Sequence, residues 1–131
     1  MATLFSIEDK WELLAMYRAL MAAKFSPESP RELPGSPFLA AVCERTVAAL
    51  QEHGIGSQSP SSWAEWLQAE RFPEQLAFVR QLLAECRKWP EWSLAQRQEY
   101  VRLLLSPFRA SADTIAELLA YADACHPVAA V

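Results

Sequence analysis

The chain has 131 residues, 52% of them apolar and 21% charged, with a formal net charge of −4. That size fits one domain burying about two thirds of the surface its open chain would expose, and that balance argues against disorder. Residues 1–61 hold five basic and seven acidic side chains and residues 62–131 seven and nine, so neither half offers the clustered Lys and Arg that a nucleic-acid duplex or an anionic membrane requires.

Few glycines, sparse β-branched residues and abundant Ala and Leu tilt local preference to helix. Ser6 with Asp9 resembles a capping box opening a helix from about Ile7 to Phe25. Pro27, Pro30 and Pro34 make residues 26–36 a stiff loop. Ser36 then caps a second helix with Pro37 at its first position, ending at His53 before Gly54, with Ile55 placed to touch Leu50.

After the loop to Pro60, Ser62 with Glu65 predicts a short third helix over Trp63 to Glu70. Pro73 opens a fourth, running to about Lys88 before Pro90, and Ser93 with Gln96 opens a fifth that meets Pro107. A sixth lies between Ser111 and Cys125, and residues 128–131 read as a frayed tail. Four of these helices carry an apolar stripe: Leu39, Val42, Cys43, Thr46 and Leu50 in the second, Phe72, Leu76, Val79, Leu83 and Cys86 in the fourth, Leu94, Val101, Leu105 and Phe108 in and beyond the fifth, and Ile115, Leu118, Leu119 and Ala122 in the sixth. The fold expected is all-α, an antiparallel helical bundle of five to six helices forming a single domain over residues 1–127.

The motif search returns little chemistry. Gly35, Gly54 and Gly56 match neither a dinucleotide fingerprint nor a P-loop. Two histidines and three scattered cysteines, Cys43, Cys86 and Cys125, give no metal-ligand spacing, the nearest being Asp123 with His126. No catalytic residue, metal or cofactor is assigned, and an enzyme is the less favoured class. Acids at the start and no long uncharged run predict a soluble protein without a secretory signal or membrane span; the odd cysteine count suits a reducing cytoplasm. The excess of Arg over Lys with abundant Ala and Pro has the flavour of a GC-rich bacterial coding bias.

Two features exceed what core building requires. Arg18 projects, on a helical wheel, into the face formed by Ile7, Trp11, Leu14, Met21 and Phe25, where a charge is costly unless paired. It either pairs or escapes along its stem as a structural residue, or it anchors an anionic group. Four of the five tryptophans fall in two echoes 26 residues apart, Trp63-Ala-Glu-Trp66 and Trp89-Pro-Glu-Trp92. They are either core lids or anchors of an interface, the Pro90 break being a means of bringing Trp89 or Trp92 to the surface. Elimination leaves a small acidic protein that acts through a protein partner, as adaptor, regulator or inhibitor, with Arg18, Trp63, Trp66, Trp89 and Trp92 as the candidate contacts. The alternative is a small-molecule binding protein or enzyme with a pocket between helices and Arg18 against an anionic group.

Overall fold

In the computed structural model, which describes residues 6–54 and 67–127, five α-helices carry the fold: α1 (Lys10–Lys24), α2 (Pro37–Glu52), α3 (Pro73–Glu85), α4 (Leu94–Leu105) and α5 (Ala112–Cys125). Two 3-10 turns, Ala69–Arg71 and Trp89–Glu91, precede α3 and α4. The protein is all-helical, and among the described residues the only extended pairing is an isolated bridge between Gln68 and Arg109.

Capping chemistry sets most of the boundaries. The Asp9 carboxylate, rather than the Ser6 hydroxyl, accepts from the Trp11 and Glu12 amides, so α1 begins three residues later than expected. Ser36 accepts from the Leu39 amide with Pro37 at the first helical position. Gly54, at φ 68°, takes the left-handed position after α2. Ser93 and Gln96 form both halves of a capping box on α4, and Ser111 caps α5. The helix expected from Trp63 lies mostly outside the described residues; its described end is the 3-10 turn at Ala69–Arg71.

The expected contact of Ile55 with Leu50 and the tail at 128–131 also lie outside the described residues. Helix α3 stops at Glu85, short of Lys88, because Cys86 is extended and the chain turns tightly into Trp89.

Helix α1 packs on α2, while α3, α4 and α5 pack on one another and α2 bridges the groups by contacting α4. One cluster of buried side chains runs through all five helices, from Leu13 and Tyr17 through Val47 and Leu50 to Val79, Leu83, Val101, Leu104, Leu118 and Ala122. No described helix is long and apolar enough to cross a membrane.

Candidate functional site

The structure moves Arg18 off the core. The buried stripe of α1 is Leu13, Tyr17 and Lys24, whereas Arg18 is exposed and shares the outer face with Trp11, seven residues earlier and 64% exposed. The wheel had grouped Trp11 and Arg18 correctly, but their shared side is solvent, so the expected desolvation cost does not arise. The Lys10 ammonium sits over the Trp11 ring at 5.0 Å.

The tryptophans divide. Trp89 is fully buried, its indole N–H donating to Asp123 Oδ1 at 2.9 Å. Arg97 lies over the same ring at 5.4 Å and donates to the Trp89 carbonyl at 3.0 Å, the Pro90 carbonyl at 3.3 Å and Asp123 at 3.2 Å. Trp89 is thus a core lid that ties its turn to α5, and the Pro90 break does not lift it to the surface. Trp92 is half-buried beside Trp89 and edge-on to Tyr100, with ring centroids 6.4 and 5.0 Å away. Trp63 and Trp66 lie outside the described residues. Neither Arg18, Trp89 nor Trp92 lines either of the clefts described next.

The buried cation is Lys24, a residue the sequence reading passed over. Its ammonium is completely enclosed and donates to the Leu103 carbonyl at 2.6 Å and to the Ser106 carbonyl, so α1 caps the negative end of α4. Burial lowers the amine to about 8, against the opposing pull of Cys43 and Glu44. Cys43, equally buried, has its thiol pushed up by burial while the Lys24 charge works the other way. Spacing alone carried the signal, since Leu13, Tyr17 and Lys24 fall at i, i+4 and i+11 on one helical face.

Above this lysine lies a partly open groove of about 820 Å³. Helix α2 supplies Pro37, Ala40, Ala41 and Glu44, and α5 supplies Ala112, Ile115, Ala116 and Leu119. Both sets follow the spacing i, i+3, i+4, i+7, two turns of one helical face about 10 Å long. Helix α4 forms the third wall with Gln98, Glu99, Arg102 and Leu103.

One end of the groove is fixed by polar bonds. Ser106 Oγ donates to Glu44 Oε1 at 2.9 Å and Arg109 to Glu44 Oε2 at 3.0 Å. Arg109 is itself held by backbone bonds: its N–H donates to the Leu67 carbonyl and its carbonyl accepts from Ala69. Lys24 fixes the floor, because its acceptors Leu103 and Ser106 both line the groove. A smaller cleft of about 410 Å³ lies between α1, α2 and the segment before α1, with Val42 and Met16 on its walls.

The groove's geometry suits binding, and its one hydroxyl–carboxylate pair, Ser106 with Glu44, is also tied to Arg109. The described residues contain no cluster of three His, Cys, Asp or Glu side chains able to hold a metal. The Asp123 and His126 pair is engaged otherwise, Asp123 with Trp89 and Arg97 and the His126 ring with the Leu83 carbonyl at 2.8 Å. Comparison with protein-family models, with curated proteins and with solved structures finds no match to this chain.

Proposed function

We propose that this protein is an acidic cytoplasmic interaction module that binds a helical segment of a protein partner in the groove between α2, α4 and α5. The observation that carries the reading is the triple wall: three helices each present about two turns of one face to a shared groove, the surroundings that a fourth helix would complete. Alanines at 40, 41, 112 and 116 keep two walls low enough for close approach of another backbone, and Leu103, Ile115 and Leu119 supply apolar contact. The small-molecule alternative loses its proposed anchor, because Arg18 faces solvent away from the groove.

The test places bulk and charge in the groove without touching the core. Ala41 and Ala116 are both exposed on its walls, so Ala41→Arg and Ala116→Arg should fold normally. Each should lose the partner that the native chain captures from cells of its source, while Trp11→Ala on the outer face of α1 should retain it. Capture unaffected by both groove variants would place the function elsewhere.

A further inference from the structure

Four charged side chains line the groove, and the structure treats them unequally. Glu44 is engaged on both oxygens, one accepting from Ser106 and the other from Arg109, and Arg109 has its counter-charge there. Glu99 and Arg102 differ. Among the described residues neither takes part in an ion pair or a side-chain hydrogen bond, although they stand three positions apart on α4 and both line the groove. Arg102 in the last turn of α4 suits the helix dipole, but the dipole does not require it to face the groove, nor does it explain an unpartnered carboxylate one turn away.

Beside these two charges the opposite wall is apolar, with Ile115 and Leu119 half-buried along it. An occupant that leaves no group unsatisfied therefore needs an apolar face toward α5 and, toward α4, an anionic and a cationic group about one helical turn apart. Resting on the helix-in-groove reading, the geometry points to a partner helix that sets a carboxylate against Arg102 and a Lys or Arg, three or four residues away, against Glu99. Complementary charges flanking an apolar seam select partner and orientation in helical assemblies.

The probe is a display library of helical peptides with a fixed Leu and Ala seam and randomised flanking positions, selected against the native chain and against the exchanged variant Glu99→Arg/Arg102→Glu. Native-selected peptides should be enriched in an acid and a base spaced three or four residues apart. Their binding should fall about tenfold on Arg102→Glu. The exchanged variant should recover affinity for peptides whose acid and base are interchanged.

Peptides that bind the native chain, are lost on Ala116→Arg, yet show no acid and base enrichment would overturn the charge pairing and leave the groove reading standing. Selection of no helix that Ala116→Arg abolishes would overturn both. Direct measurement of Arg102→Gln and Glu99→Gln on one selected peptide separates a pairing role from misfolding, since both side chains are exposed and their neutral replacements should leave the thermal midpoint unchanged.

Discussion

Replacing Lys24 by Met removes the only described charge that is wholly enclosed. In the fold the amine titrates at about 8, against an ordinary 10.5 in the open chain. Between those values the open chain holds the extra proton, so stability rises with pH, by about 1.4 kcal/mol per unit once the folded amine is neutral. From pH 7 to pH 9 the folded amine passes from mostly charged to mostly neutral, and the rise adds up to about 1.4 kcal/mol.

The thiol of Cys43, raised by burial from 9.0, and the raised phenol of Tyr17 act in the opposite sense, since they favour the fold only while the open chain also keeps its proton. Tyr17 acts alike in both proteins and cancels, whereas Cys43 loses the downward pull of the Lys24 charge in the variant and shifts further up, which adds to the native chain's relative gain as pH rises. At pH 7 the variant recovers about 3 kcal/mol of desolvation but leaves the Leu103 and Ser106 carbonyls without this donor, at about 1–3 kcal/mol each. Those effects nearly balance, so the absolute stability at one pH decides nothing. Urea unfolding of both proteins under reducing conditions at pH 7, 8 and 9 should show the native chain gaining about 1 kcal/mol or more relative to Lys24→Met. A difference that stays constant, or moves the other way, would overturn this account of Lys24.

Trp89→Ala should cost about 3–5 kcal/mol in chemical unfolding, because it empties a fully buried site and leaves Asp123 and Arg97 without the ring between them. Arg18→Met and Trp11→Ala, both on the outer face of α1, should each change stability by no more than about 0.5 kcal/mol in the same assay. Ser93→Ala removes the hydroxyl half of the α4 capping box, leaving the residue-93 amide on the Gln96 side chain, and should cost about 1 kcal/mol. Alkylation followed by mass spectrometry should modify exposed Cys125 first and buried Cys43 last; early labelling of Cys43 would contradict its enclosure.

Helix boundaries were legible where a cap or a proline spoke alone, as at Ser36, Ser93 and Ser111. The orientation of α1 was not. Its apolar residues, Trp11, Leu13, Leu14, Met16, Tyr17, Leu20 and Met21, nearly encircle the helix, and a wheel so populated admits more than one core face. Taking Trp11 as core carried Arg18 inward and left Lys24 unnoticed, although the Leu13 and Tyr17 stripe leads to it. A smaller rotation of the same kind occurred in α2, where Val42 is partly exposed while Ala40 and Val47 are buried.

Of the two readings of the tryptophan echo, Trp89 takes the core lid, because a Pro-broken turn can fold inward as readily as outward; Arg97 and Asp123, eight and 34 residues after Trp89, draw it in. The groove was half visible. Ile115 and Leu119 belonged to the predicted stripe of α5 and do pack against the core, but only the packing of three helices shows that they also border an open space.

The most direct measurement of the central claim is site-specific photocrosslinking from the groove wall in living cells of the source. A benzophenone amino acid replaces Ala116, with a second at Ala15, exposed on the outer face of α1, as the comparison. Sequencing of the adducts should find the Ala116 probe joined to one short helical segment of a single partner, repeatedly and within two turns of chain, and the Ala15 probe joined to no such segment. Adducts from Ala116 confined to this chain's own residues, or scattered over unrelated proteins just as those from Ala15 are, would contradict a groove built to receive a partner's helix.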